Sequence, residues 1–286
     1  IDLSRINVSH LNVGIELNQI SFVANHLDDI SNVPIEVKKR NTKIISRNSD
    51  DFKKDEFKPK VNFPVIFSST GPALVSHIGT PEKVYFGGLN LQNISEIQFN
   101  RNLILSTELN QTVFSNFEDT ISGADSKAEH VRTEIVQYLK EDDLFLSRIQ
   151  LDYIWSPKNN LYMKLSAGIF ERMYGGIGSE ILYKPYDKNF SVGAELFAVK
   201  QRTFEQRFKF QDYETTTGHI NFNYIFTAGI EARLSYGRYL AKDDGYTLDI
   251  GRRLKSGTKM GIFFTRTDMP EEIFGEGSFD KGFYFQ

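Results

Sequence analysis

The sequence predicts a mainly β protein in which antiparallel strands follow one another as a meander. From about Phe145 onward, runs of roughly ten residues alternate apolar and polar side chains. In the run 161–169, Leu161, Met163 and Leu165 fall on one side of a strand, because successive side chains point to opposite faces. Each run ends in a short polar turn, and no helical period separates the runs, which indicates antiparallel neighbours. The predicted sheet therefore has one apolar and one polar face.

The apolar face must be covered, and the pattern leaves two ways to cover it. In a water-soluble β-sandwich it would pack on a second sheet, whereas in a membrane barrel it would face lipid. Strand length favours the barrel, because tilted strands of about ten residues cross the hydrocarbon core and soluble strands average about five or six. The 24 Phe and 13 Tyr residues suit the aromatic belts of a membrane protein. We therefore predict an antiparallel transmembrane β-barrel as the fold class.

The strands follow a proline-bearing, charged linker at residues 58–64. Ser-Gly and Asp-Gly pairs in the turns are hairpin signals, and residues 117–129 lack periodicity, which predicts a longer loop. The barrel segment is predicted to span residues 65–286. Candidate strands lie near residues 72–79, 84–99, 102–115, 144–155, 161–173, 177–184, 190–201, 206–225, 229–240, 245–254, 258–267 and 280–286.

Residues 1–57 have a different pattern, which predicts a small α/β module. From Ile15 onward, apolar residues such as Ile20 and Leu27 recur at helical spacing and favour an amphipathic helix. The alternative is a strand over residues 11–17, since that stretch also alternates. Both alternatives precede the linker.

Charges of both signs recur on the polar face, and in a barrel they would line a hydrated lumen. The lumen-facing candidates are Arg148, Asp152, Lys164, Arg172, Glu195, His219, Glu231, Arg233 and Asp249. The opposite side chains would face lipid. The lipid-facing candidates are Leu151, Tyr153, Trp155, Leu165, Leu196, Phe222, Leu234 and Ile262.

Carboxylates on the polar face are the residues to weigh for catalysis, since two suitably spaced carboxylates can hydrolyse a glycosidic bond. Glu180, Glu195, Glu231 and Asp249 fall on that face. Cations on the same face favour a plainer interpretation, in which lumenal charge pairs hold a polar interior together. We therefore predict that the protein is not an enzyme.

The sequence gives no support for a metal, a cofactor or a nucleic-acid partner. It contains no cysteine, and its five histidines are scattered without ligand spacing. The glycine-rich stretch 174–179 lacks the Gly-Lys-Ser/Thr ending of a phosphate loop. A net charge of −3 offers no electrostatic attraction to nucleic acid.

A co-linear set of residues resembles the YjbH family of outer-membrane exopolysaccharide-biosynthesis proteins, the group that includes the capsule-operon GfcD proteins. The matching stretches include residues 150–153, 165–168, 173–185, 192–196, 199–202, 212–213, 217–219, 237–240, 247–249, 267–268 and 274–282. The resemblance implies a place in the bacterial outer membrane and a role in making or exporting an exopolysaccharide or capsule. Membrane lipid and a polysaccharide are the implied partners, and no catalytic residue is implied.

Family members are considerably longer than this chain. The resemblance therefore also implies that these residues supply only part of a large barrel, which further strands or another subunit would complete.

Overall fold

The computed structural model describes the backbone of residues 5–12, 15–23 and 42–45, and residues 62–78, 85–119, 127–128, 130–131, 134–140, 144–185, 188–254, 256–274 and 279–285. The described chain is mainly β. It contains one sheet of three strands and one antiparallel sheet of twelve.

The twelve-stranded sheet, called the main sheet below, is an uninterrupted meander in which each strand pairs with the next along the chain. This confirms the predicted antiparallel meander. Its strands are β4 (Val65–Ile78), β5 (Tyr85–Gln98), β6 (Leu103–Ser115), β7 (Leu144–Lys158), β8 (Leu161–Ile169), β9 (Tyr174–Tyr183), β10 (Phe190–Arg202), β11 (Phe210–Ile225), β12 (Ile230–Arg238), β13 (Asp244–Arg253), β14 (Lys259–Thr267) and β15 (Asp280–Phe285). Among the described residues, β4 and β15 are the two edges.

The N-terminal sheet is formed by β1 (Arg5–Asn12), β2 (Ile15–Val23) and β3 (Thr42–Ile45). The helix predicted from Ile15 is wrong over β2, which pairs antiparallel with β1. The alternative, one strand over residues 11–17, is also wrong, because residues 11–12 end β1 and residues 15–17 begin β2. Apart from these three strands, the predicted α/β module of residues 1–57 lies outside the described residues.

Three strand boundaries differ from the predictions by four residues or more. β4 begins at Val65 and runs through Pro72, since proline is tolerated in an edge strand. β8 ends at Ile169, and a turn leads into β9. β11 begins at Phe210 because residues 203–209 form a loop.

Short helices lie in the connections of the main sheet. The predicted loop after β6 begins with a 3-10 turn, Phe117–Asp119, and helix α1 (Ile135–Lys140) follows later in the same connection. A second short helix, α2 (Glu271–Phe274), precedes β15. None of the helices that the structure describes is long and apolar enough to span a membrane.

The main sheet curls toward its polar face. Side chains of β9 and β15 line the same cavity, although on a flat sheet six strand spacings would separate them by about 29 Å. The exposure of side chains on the two faces agrees with this curvature. Ser166 and Ser235 are 5% and 9% exposed, whereas their apolar neighbours Leu165 and Leu234 are 50% and 47% exposed. The usual distribution of a water-soluble protein, with apolar side chains inside, is reversed.

Candidate functional site

An open cavity of about 880 Å³ lies on the polar face over β9 to β15. We call it the polar groove. It is lined by Lys184, Glu195, His219, Glu231, Arg233, Tyr239, Asp249, Arg253, Lys259, Phe263, Tyr284 and neighbouring residues. Register explains the grouping, because same-face residues on paired strands form rows across a sheet.

One such row brings two carboxylates between two basic side chains. Lys164, Glu180, Glu195 and His219 are consecutive cross-strand partners on β8 to β11. The Lys164 ammonium lies 2.6 Å from a Glu180 oxygen, and His219 Nδ1 lies 3.1 Å from Glu195 Oε1. Glu180 and Glu195 are the neighbouring carboxylates that a glycoside hydrolase would need, but a basic side chain engages each of them. This geometry fits charge pairing rather than acid–base catalysis.

Arg233 reaches into the groove from β12. Its guanidinium donates hydrogen bonds to Asn221 Oδ1, at 2.9 Å from Nη2, and to Ser235 Oγ, at 3.3 Å from Nε. Ser235 Oγ also donates to Asn221 Oδ1 at 2.6 Å. Among the described residues Arg233 forms no direct ion pair, although Asp249 is its cross-strand partner on β13, so neutral groups alone hold the guanidinium by hydrogen bonds.

Toward one end of the groove, two cations share one carboxylate. Arg253 and Lys259 are direct cross-strand partners on β13 and β14. Glu231 lies 3.5 Å from Arg253 Nε and 3.4 Å from Lys259 Nζ. Nearby, the Tyr284 hydroxyl donates to Asp249 Oδ1 at 2.9 Å.

The other polar-face candidates lie toward β7. Asp152 accepts hydrogen bonds from Ser166 Oγ at 2.5 Å and from Gln150 Nε2 at 2.8 Å. Arg148 Nε donates to the Phe170 carbonyl at 3.2 Å. Arg172 was predicted on a strand, but it lies in the turn between β8 and β9, with its guanidinium 4.6 Å from the centre of the Phe145 ring.

The eight apolar candidates lie on the outward face. Seven are between 40% and 61% exposed, from Leu151 to Ile262, and Trp155 is half-buried. The Trp155 ring lies 5.4 Å from the Tyr153 ring.

The polar face is closed over at one end by part of the β6–β7 connection. We call residues 127–128, 130–131 and 134–140 the covering segment. Tyr138 on α1 is fully buried, and its hydroxyl donates to the Arg202 carbonyl at 2.6 Å. Its apolar surroundings include Met173, Tyr174 and Val199. Burial raises the pKa of Tyr138 above its ordinary value.

Polar side chains hold the covering segment in place. Gln201 Nε2 donates to Glu134 Oε2 at 2.5 Å, and Gln206 Nε2 donates to the Tyr138 carbonyl at 2.7 Å. The Tyr174 hydroxyl donates to the His130 carbonyl. The His130 ring stacks on Tyr213 with centroids 3.8 Å apart.

Arg202 fastens the loops beneath this segment. Its side chain is fully buried, and its guanidinium donates to the carbonyls of Glu171, Arg172 and Arg207 at 2.8, 3.1 and 2.9 Å. Sequence reasoning did not single out Arg202, Tyr138 or Tyr284. The one available signal was the polar run Gln201-Arg202 at the end of an otherwise alternating strand.

Within the part of the chain that the structure describes, His, Asp and Glu side chains form no cluster of three that could hold a metal ion.

Comparison with known proteins identifies the family. A model of the YjbH family, described as an exopolysaccharide biosynthesis protein, matches residues 2–286. The chain belongs to the YjbH family. The uncharacterized lipoprotein YjbH of Escherichia coli (strain K12) is 32% identical to this YjbH-family chain over 221 residues, which make up 74% of the chain and 32% of that protein. The chain thus spans about a third of the length of the curated relative it matches.

Among solved structures, in-vitro folded OmpT, an outer membrane protein of Vibrio cholerae in its trimer form, matches with a TM-score of 0.29 and 8% identity. That match covers 79% of this YjbH-family chain and 100% of the OmpT chain.

Proposed function

We propose that this chain supplies part of an outer-membrane β-barrel whose polar lumen carries an exopolysaccharide during export or assembly. Membership of an exopolysaccharide-biosynthesis family supports the process. The observation that carries the membrane assignment is the reversed burial, in which apolar side chains lie on the exposed face and polar ones on the covered face. That distribution is stable in a bilayer, where lipid covers the outward face.

Charged residues limit the apolar band at both ends. On β13 the outward side chains run from Asp244 through Tyr246, Leu248 and Ile250 to Arg252. At roughly 3.4 Å per residue, the two charges lie about 27 Å apart along the strand, or about 20 Å along the membrane normal at a typical tilt. This spacing is about 5 Å shorter than the apolar band of about 25 Å seen in outer-membrane barrels.

The lengths of the connections between strands suggest which end of the main sheet faces the periplasm. At one end of the sheet the turns are short, as at residues 159–160 and 226–229. At the other end the connections are longer, as at 116–143 and 268–279. Outer-membrane barrels place short turns in the periplasm and long loops outside. The chain enters β4 from the short-turn end, so this orientation places the N-terminal sheet on the periplasmic side.

The two edges of the main sheet fit a barrel completed elsewhere. β4 and β15 each have one described partner, and the matched relative is about three times as long as the matched region. An exposed strand edge cannot remain unpaired in lipid. Further strands of a longer chain, or a second subunit, would close the barrel in this proposal.

The decisive experiment compares adjacent residues on opposite faces of β7. Leu151 is outward and 40% exposed, whereas the Gln150 amide already donates to Asp152 on the polar face. Leu151→Arg should destabilise the inserted barrel by about 2–4 kcal/mol near the bilayer midplane. Gln150→Arg should be tolerated, because the new guanidinium faces an existing carboxylate.

The readouts are the outer-membrane fraction, the heat-dependent shift in SDS gel mobility, and the amount of polymer at the cell surface. Equal tolerance of the two arginines would contradict the membrane assignment. Release of the intact protein from membranes without detergent would instead favour a water-soluble glycan-binding sheet.

A further inference from the structure

We infer that the polar groove binds an anionic polysaccharide through the carboxylates of its acidic sugar units, at a site formed by Tyr284, Arg253 and Lys259. This inference deepens the proposed function and rests on it. It names the chemical class of the polymer, which neither the family description nor the fold assigns.

The first support is the charge of the groove. Among the described residues that line it, the Lys and Arg residues are Lys184, Lys188, Arg233, Arg253 and Lys259, and the Asp and Glu residues are Glu195, Glu231 and Asp249. The carboxylates already have partners: Glu195 pairs with His219, Glu231 with two cations, and Asp249 accepts from Tyr284. The five cations outnumber the three carboxylates, so the lining of the groove carries a net positive charge.

The second support is the position of two like charges. Arg253 and Lys259 lie directly opposite each other, an arrangement that destabilises a strand pair unless an anion compensates it. Glu231 contacts both cations, while Asp249 acts on Lys259 and is the direct cross-strand partner of Arg233, so three cations share two carboxylates here. A carboxylate from a sugar would neutralise the third cation, and an arginine can bind it with paired hydrogen bonds.

The third support is an aromatic surface beside these cations. Glu231, Gly251, Gly261 and Tyr284 are consecutive cross-strand partners. A Cβ atom added at Gly261 would lie 2.5 Å from the Tyr284 hydroxyl oxygen, and one added at Gly251 would lie 2.7 Å from it. The tyrosine therefore lies flat across the two glycines.

Lys259 Nζ lies 5.5 Å from the centre of the Tyr284 ring. A flat aromatic ring offers an apolar surface to the C–H face of a pyranose. With a cation at its edge, the ring would face the sugar while the carboxylate reaches the ammonium. A neutral sugar could use the ring but would gain nothing from the excess charge.

The test measures binding of polygalacturonate oligomers and of dextran oligomers of equal length to the detergent-solubilised, intact protein by calorimetry. Polygalacturonate should bind at least about tenfold more tightly. Its affinity should fall as ionic strength rises from about 0.05 to about 0.5 M. Arg253→Gln and Lys259→Gln should each weaken polygalacturonate binding about tenfold and leave dextran binding unchanged.

Arg252→Gln is the matched control, because Arg252 is the next residue on the same strand and faces outward. Tyr284→Ala should weaken binding of both oligomers. Tyr284→Phe keeps the ring and should therefore retain the binding of both. Equal affinity for the two oligomers, or equal effects of Arg252→Gln and Arg253→Gln, would overturn the inference. A heat-dependent gel shift in the same samples shows whether each variant is folded. A barrel that assembles and prefers neither oligomer refutes only this inference, whereas equal tolerance of the β7 arginine pair refutes the proposed function.

Discussion

The polar face has a covered end and an open groove, and the two regions use similar residues differently. Under the covering segment, Arg202 is fully buried and donates to three backbone carbonyls. In the groove, Arg233 is exposed and donates to two neutral side chains. A guanidinium that is occupied by backbone carbonyls fixes loops. One that is positioned by neutral groups keeps its charge available to a ligand.

The two regions also differ in how tightly they are packed and in how open they are to a ligand. At the covered end, Tyr138, Gln201 and Gln206 fill the space between helix and sheet and are themselves fully buried. In the groove, Tyr284 lies across two glycines and leaves the space above it open. The proposed polymer lumen would use both regions, since its wall must be stable where it is closed and must expose polar groups where it binds.

The largest effect should come from Arg202→Met. The change removes three charge-assisted hydrogen bonds from a buried guanidinium and leaves three partly buried carbonyls without these donors, so we expect a loss of about 3–5 kcal/mol in the free energy of unfolding. Arg233→Met is the control in the groove, with an expected loss below about 1 kcal/mol. Urea titration of the intact protein in lipid vesicles measures both values. Similar losses in the two variants would contradict the distinction between the regions.

Tyr138→Phe should have a smaller effect confined to the covered end. It removes the hydrogen bond to the Arg202 carbonyl and retains the ring, so a loss of about 1–2 kcal/mol is expected. Hydrogen exchange of residues 134–140 should become faster, while that of β12 to β14 should not change. Uniform acceleration over the whole sheet would show that the covering segment is not a separate unit.

The pH dependence of the free energy of unfolding should report on the burial of Tyr138. Because burial raises the pKa of Tyr138, the folded state holds the phenolic proton more tightly than the unfolded state does. The contribution of Tyr138 to the free energy of unfolding is fully present below the unfolded-state pKa of about 10. It decreases as the pH rises above that value. Tyr138→Phe lacks this titration. The stability difference between wild type and variant should therefore narrow above about pH 10, as measured by urea titration, and a constant difference would show that the phenol is not buried on folding.

Alternation along the strands was enough to predict the sheet but not the covering segment. The period of two located each strand of the main sheet, because each faces two different environments. It also grouped Glu195, His219 and Arg233 on one face before any contact was visible. Helix α1 was not predicted, because six residues are too few for a helical period to be recognised among polar neighbours.

The residues of the proposed binding site could not be grouped from the sequence alone, for a similar reason. Tyr284 and the Arg253–Lys259 pair come from three strands, and only the register brings them together. At the N-terminal sheet the helical period of residues 15–30 misled, since a hairpin satisfies the backbone of β2 whatever its local propensity.

The smallest effect should come from the outward face beyond the apolar band. Arg238 and Asp244 are direct partners at the ends of β12 and β13, and their side chains form two hydrogen bonds of 3.0 and 3.1 Å. Both side chains are exposed, so water competes for the pair and salt screens it. Arg238→Gln should not measurably change the urea midpoint, in contrast to Arg202→Met at the covered end. A clear loss for Arg238→Gln would mean that this pair is covered in the assembled protein, which would place an interface with further strands or another subunit at this edge of the band.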